Sequence, residues 1–321
     1  MRAWQFRAVG EPLVLTEVLD PKPGPGEVLI DVKAAGLCHT DIGMLENDAW
    51  QEFMTKRPVT LGHEVAGVVA ELGEDVRDMT VGIRVGVWAN APEGAPGFTY
   101  DGGFAPQMVV PARALVPIPD SVDFAYGAVG MDAGVTPYNA VMRQGGVRAN
   151  DKVGVIGLGG LGQVGVRLAV LAGANVYVAS QRYGDPATRD GVSALVADLG
   201  ARDVRANIAD FDEEFDVVID FTGTDSSISD AIRSIRSGGT VVLVAMGQRQ
   251  SKVDTWMLVA KQGKLKGSMS GSKEDIDAVY ELMATGKLAP RISPITFSDI
   301  PSALDRLRRG DVDGRLVAFF E

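Results

Sequence analysis

Val153-Gly154-Val155-Ile156-Gly157-Leu158-Gly159-Gly160-Leu161-Gly162 runs a short apolar segment straight into glycines spaced G-x-G-x-x-G at Gly157, Gly159 and Gly162. Glycines alone say little in a chain that carries 39 of them, so the weight lies in the order strand, glycine turn, helix. The first glycine permits a tight turn, the second lets a diphosphate approach the backbone, and the third lets helix pack closely on strand. Gly160 and Leu161 open the helix, whose free N–H groups favour an anion. Apolar residues at helical spacing from Leu161 to Leu171 lead to a second apolar run, Asn175 to Ala179. A dinucleotide site is expected here, rather than a purely structural turn.

Further strands are expected at Asp216 to Asp220 and Thr240 to Ala245, with a helix over Ser226 to Ile235. Short apolar strands alternating with longer helices make a parallel sheet covered on both faces, an α/β doubly wound arrangement. The end of the second strand reports which dinucleotide fits, because a carboxylate there would bind the ribose 2′-hydroxyl and repel a 2′-phosphate. No acid stands there; Ser180, Gln181 and Arg182 offer a hydroxyl and a guanidinium suited to a phosphate monoester. NADP(H) is therefore expected over NAD(H), with Arg182 as an ordinary solvated surface charge the alternative.

Before Asp151 the texture differs. Val28-Leu29-Ile30-Asp31-Val32 and Val109-Val110 alternate with proline and glycine over the first 120 residues, which reads as antiparallel sheet and an all-β half. After about Ser272 comes a charged helix, Lys273 to Thr285, and the chain closes on Arg315-Leu316-Val317-Ala318-Phe319-Phe320, a strand expected to return to the first lobe. With 321 residues, two lobes are expected. A composition of 46% hydrophobic and 23% charged residues is that of a globular protein. A net charge of -11 repels phosphate backbones and anionic lipid, so no nucleic acid and no membrane partner is expected, and a small molecule is. No secretory h-region or membrane-length apolar run is read, which points to the cytoplasm. One cysteine, Cys38, excludes an internal disulfide and any zinc site built from several thiolates.

That cysteine stands in Gly36-Leu37-Cys38-His39-Thr40-Asp41, and one of only two histidines stands in Gly62-His63-Glu64-Val65-Ala66-Gly67, with Gly73 and Val76 following. Taken with the glycine loop and Gly314-Arg315-Leu316-Val317, the chain resembles the zinc-containing medium-chain alcohol dehydrogenase family over its whole length. Each fragment is modestly specific; their order and spacing together are highly so. The resemblance implies a GroES-like, mostly β catalytic domain over residues 1–131 and 272–321, a Rossmann domain over 132–271, and a homodimer or homotetramer joined by cofactor-domain sheet edges.

It also implies a catalytic zinc held by Cys38, His63 and a third ligand. The family's usual third cysteine falls at Asp132, in Gly130-Met131-Asp132-Ala133-Gly134-Val135-Thr136-Pro137-Tyr138, which resembles a branch of bacterial secondary alcohol dehydrogenases. A carboxylate is an acceptable zinc ligand. The other reading open to Asp132 is a helix cap before Ala133. Asp41 matches the carboxylate that receives the N–H of the zinc-bound imidazole, and Glu64 would lie beside the metal as a transient ligand. Thr40 would take the alcohol proton. Thr136 would touch the nicotinamide, Thr222 and Gly223 the adenosine side, Ala245, Met246 and Gly247 the nicotinamide ribose, and Arg315 the pyrophosphate. Trp50, Phe53 and Trp88 match segments that line the substrate cleft, implying a bulky apolar or aromatic substrate, with plain core packing the alternative.

The chain departs from the pattern twice. The segment Trp88 to Phe104 holds none of the four cysteines of the family's structural zinc lobe, and Gly43 stands where the proton-relay histidine follows the first ligand by five residues. The reading that results is a zinc-dependent oxidoreductase passing hydride between NADP(H) and an alcohol or carbonyl carbon. Two rivals remain: a zinc-free NADPH quinone or enoyl reductase of the same superfamily, and a non-catalytic NADPH-binding protein.

Overall fold

The computed structural model describes residues 1–320. Its contacts divide the chain into two units, Met1–Asp132 with Ser272–Glu321, and Ala133–Gly271. No helix among the described residues is long and apolar enough to cross a membrane.

The first unit opens with β1 (Arg2–Phe6), β2 (Val14–Glu17) and β3 (Glu27–Gly36), then α1 (His39–Glu46) and a 3-10 turn, Asp48–Phe53. Strands β4 (Val59–Thr60), β5 (Glu64–Leu72), β6 (Arg84–Val87), β7 (Gln107–Pro111) and β8 (Leu115–Pro117) follow, and α2 (Phe124–Val129) leads out. Helix α1 corrects the all-β expectation for this half. It is nucleated locally: Cys38 sits at its N-cap, and the Cys38 N–H donates to the Asp41 carboxylate at 2.8 Å, satisfying a backbone donor the helix leaves free.

The second unit carries β9 (Lys152–Ile156), α3 (Gly160–Leu171), β10 (Asn175–Ala179), α4 (Arg189–Leu199), β11 (Asp203–Arg205), β12 (Phe215–Asp220), α5 (Asp225–Ser234), β13 (Ile235–Leu243), α6 (Thr255–Ala260) and β14 (Lys264–Gly267). All six strands are parallel, in the order β11-β10-β9-β12-β13-β14. Strand β13 starts five residues before the expected Thr240 and ends short of Ala245. Ile235 is buried at the end of β12, and Gly238, at φ +78, turns the chain so that pairing resumes at Thr240 after a register shift. Val153, Val155, Val218 and Ile219 are fully buried at the centre, each side chain stabilising the fold by about 1.5–3 kcal/mol.

The chain then returns to the first unit with α7 (Lys273–Ala284), β15 (Ile292–Thr296), α8 (Ile300–Arg308) and β16 (Arg315–Phe319). A seven-stranded sheet results, in the order β15-β16-β3-β5-β6-β8, with β7 also on β3. Strand β3 is its spine. Residues 27–31 pair with β7, residues 34–36 pair with β16, and β5 lies antiparallel along the length. Its buried Val28, Ile30 and Ala35 join Phe6, Leu37, Leu61, Val65, Phe104 and Leu316 in one core.

Candidate functional site

The register Gly36↔Glu64 between β3 and β5 decides the first site. Cys38 lies two residues past Gly36 and His63 one residue before Glu64, so the pairing that builds the sheet also brings thiol and imidazole together. Asp132 arrives from elsewhere. Helix α2 starts at Asp123, whose carboxylate caps the Tyr126 N–H at 2.8 Å, packs on β3 and β5, and runs into a widened π-type turn, Gly130–Gly134, that presents Asp132. Tyr280 of α7 braces this stretch: its hydroxyl donates to the Gly127 carbonyl at 2.8 Å, and its ring occupies the place where Gly130 would carry a Cβ. Helical geometry resumes at Val135 with Gly134 in the capping position, so Asp132 is not the cap of a helix at Ala133.

One donor atom from each of Cys38, His63 and Asp132 lies within 4.8 Å of the others, the single such group among the described residues. His63 Nε2 is 3.9 Å from Asp132 Oδ2. On the other side of the ring, His63 Nδ1 faces Asp41 Oδ1 at 3.2 Å, and the other Asp41 oxygen holds the Cys38 N–H. Asp41 is fully buried, so one carboxylate fixes both the imidazole orientation and the backbone of the neighbouring thiol. A cysteine sulfur, an imidazole and a carboxylate within reach of one another make a donor set that a catalytic zinc ion takes, and the arrangement fits that ion. Burial pushes the His63 imidazole down, and Asp41 outweighs it, holding the ring well above its ordinary value. The same field favours a metal cation at Nε2, so proton and metal compete there.

Glu64 does not join the three donors. Its side chain crosses over Gly36, where a Cβ would lie 1.9 Å from Oε2, and meets Arg315 Nε at 2.7 Å. Burial raises its carboxyl to about 7, against the pull of the Arg315 guanidinium. Arg315 itself is buried in β16 and pairs with both Glu64 and Asp132. Its guanidinium is thus held between Asp132 of the donor group and Glu64 outside it. His39 and Thr40 occupy the first turn of α1, and His39 is outside the donor group.

An aromatic group stands beside His63. Phe98 meets the imidazole edge-on at 5.9 Å between centroids, Trp50 lies 6.2 Å from Phe98, and Phe53 lies 6.0 Å from Trp50. Phe98 escaped the sequence reading because it sits in the Gly- and Pro-rich stretch 91–103, where periodicity says nothing; an isolated aromatic in a glycine loop was the available signal. A Cβ at Gly43 would lie 2.4 Å from Trp50 Nε1, so the residue that replaces the relay histidine makes room for the indole. Trp88 packs partly buried against the core of its unit.

In the second unit every residue expected at the cofactor lies at the C-terminal end of the parallel sheet, save Thr136, which is buried in the turn Val135–Tyr138. Gly157 takes φ +94, a conformation strained for other residues. Gly162 has its missing Cβ 2.0 Å from the Gly157 carbonyl oxygen, so no side chain fits there. Gly159 caps α3, and a Cβ on it would meet nothing within 4 Å, an open approach to the helix N-terminus. Ser180 is buried, with its N–H on the Arg205 carbonyl at 2.9 Å; Gln181 and Arg182 are exposed. Among the described residues the Arg182 guanidinium has no hydrogen bond or ion pair. The turn at Thr222-Gly223 packs against Ala245, which leads to exposed Met246 and Gly247.

Residues 24–120 match the alcohol dehydrogenase GroES-like domain, and residues 160–285 match the zinc-binding dehydrogenase domain. An alcohol dehydrogenase of Geobacillus stearothermophilus is 30% identical, the match covering 99% of each chain. An NADP-dependent alcohol dehydrogenase of Mycolicibacterium smegmatis is 30% identical over 98% of this chain and 96% of its own. Among solved structures, the acetophenone reductase of Geotrichum candidum in complex with NAD superposes with a TM-score of 0.88 at 27% identity, covering 99% of this chain and 97% of that one.

Proposed function

The chain belongs to the zinc-containing medium-chain alcohol dehydrogenase family, and from that premise we propose that it exchanges hydride between NADP(H) and an alcohol or ketone, using one zinc ion held by Cys38, His63 and Asp132. The observation that carries the reading is the meeting of those three donors from distant parts of the chain. A bound zinc ion would supply Lewis acidity to the substrate oxygen.

The chain's own residues do the rest. Cys38 and Asp132 bring negative charge to balance the dication, and Asp41 keeps the His63 ring turned with Nε2 towards it. Thr40 Oγ1 takes up the alcohol proton as it passes its own on, through the cofactor ribose, to solvent. Gly157, Gly159, Gly160, Leu161 and Gly162 take the pyrophosphate, and Arg182, whose guanidinium is free, takes the 2′-phosphate with Ser180 and Gln181. Thr136, Ala245, Met246 and Gly247 serve the nicotinamide half. Trp50, Phe53 and Phe98 form an apolar wall beside His63 that favours a substrate with a bulky apolar or aromatic group and excludes water. The relative named for acetophenone is in keeping with that wall.

We place the enzyme in the reducing cytoplasm, where Cys38 stays a free thiol; cell fractionation tests that, with recovery outside the cytoplasm contradicting it. We also infer a homo-oligomer joined through the open edge at β14, beside which Trp256 is 82% and Val259 76% exposed. Sedimentation of surface variants tests this, as set out below.

The activity itself is tested by zinc content per chain together with NADPH and NADH oxidation on a panel of ketones and a quinone, before and after chelation. Ketone reduction that prefers NADPH, is lost on chelation and returns with zinc is expected. Chelator-resistant quinone reduction would instead identify a zinc-free reductase, cofactor binding without turnover a non-catalytic protein, and a clear NADH preference would remove Arg182 from its role.

A further inference from the structure

Four donors converge on the side chain of Asp220 at the C-terminal end of β12, and no cation is among them. Oδ1 accepts from the Thr222 N–H at 2.8 Å, the Gly223 N–H at 3.1 Å and the Thr222 hydroxyl at 2.7 Å; Oδ2 accepts from the Ser227 hydroxyl at 2.6 Å. The Asp220 carbonyl takes the Val244 N–H at 3.0 Å. The residue is wholly buried, so losing any of these donors leaves a polar atom without water to replace them.

The turn this carboxylate holds is packed against both neighbouring cofactor loops. Thr222 Cγ2 would lie 2.9 Å from a Cβ at Gly157, and Gly223, at φ +65, would set a Cβ 2.9 Å from the Ala245 carbonyl oxygen. Ser227, the other partner of Asp220, also accepts from the Thr224 N–H at 2.9 Å at the start of α5. One buried acid thus fixes the turn, the helix after it and the exit of β13.

We propose that Asp220 is the positioning residue of the adenosine side of the cofactor site, holding the turn 221–224 in its receiving shape and leaving the Thr222 hydroxyl an acceptor only. The proposal rests on the dinucleotide reading above. A hydroxyl has a single proton, and Thr222 gives its own to Asp220, so its exposed face offers lone pairs. It suits a ribose hydroxyl or an amine and opposes a phosphate oxygen, which keeps phosphate to the glycine loop and Arg182.

The test is the affinity for ADP-ribose, measured by calorimetry well below the melting temperature, for wild type, Asp220→Asn, Asp220→Ala, Thr222→Val and Thr222→Ser, with each melting temperature recorded. Asparagine keeps an acceptor but turns N–H groups towards hydroxyl donors. Asp220→Asn and Thr222→Val should each weaken ADP-ribose about tenfold, Thr222→Ser should bind as wild type does, and Asp220→Ala should lose more. Should the alanine variant fail to fold, the asparagine and valine variants carry the test. A lowered melting temperature with unchanged ADP-ribose affinity in Asp220→Asn overturns the positioning role, and unchanged affinity in Thr222→Val overturns the acceptor role. Wild-type protein that binds neither ADP-ribose nor 2′-phospho-ADP-ribose overturns the dinucleotide reading, and the proposal with it.

Discussion

Asp41 does two things with one carboxylate: it receives the Cys38 N–H and faces His63 Nδ1. Asparagine would keep an acceptor for the first and present either a second donor or a weaker acceptor to the second. Asp41→Asn should therefore lower zinc affinity by about 10–100-fold in a chelator competition, with the fold intact by circular dichroism. Equal affinity in the two proteins would mean that Asp41 serves only the start of α1. Cys38, His63, Asp41 and Asp132 were picked out by the family resemblance, since a lone cysteine by itself reads as a small buried side chain, and the structure brings the four close together. The carboxylates that Arg315 meets, Glu64 and Asp132, were not legible, because a guanidinium carries no mark of its partners. Asp220 was missed outright, since an acid at the end of an apolar strand looks like any strand terminus until the donors around it are seen.

Among the described residues strand β14 ends the parallel sheet with one edge unpaired, and α6 carries exposed Trp256 and Val259. An open edge and exposed apolar side chains together are what a second copy covers. Sedimentation velocity should show a dimer or larger for wild type, and a smaller species for Trp256→Glu combined with Val259→Glu; a wild-type monomer, or a double variant of unchanged mass, would contradict the edge interface. The sequence marks this face poorly, because Thr255-Trp256-Met257-Leu258-Val259-Ala260 is apolar all round and reads as buried. Elements with strong periodicity were legible: β9, β10, α3 and α7 lie within a residue of where spacing puts them. Those set by local polar contacts were not. Helix α1 depends on the capping exchange between Cys38 and Asp41, and its eight residues contain Gly43 and too little apolar repeat to announce a helix. The early start of β13 depends on Ile235 filling space beside Phe215, a tertiary fact.

The α/β character of Ala133–Gly271 followed from glycines set between strand and helix. Its strand order did not, since periodicity marks strands without naming their neighbours. Likewise nothing in the sequence states the register Gly36↔Glu64, although that register is what carries Cys38 and His63 to one place before Asp132 completes the group. The convergence of these three side chains on one ion is what the proposed chemistry requires. X-ray absorption at the zinc edge of the purified protein measures it directly. One sulfur at about 2.3 Å with the remaining nitrogen and oxygen ligands at about 2.0–2.2 Å is the predicted shell, the sulfur vanishing in Cys38→Ser. A bound zinc with no sulfur neighbour, or a fully active protein without metal, would contradict the account.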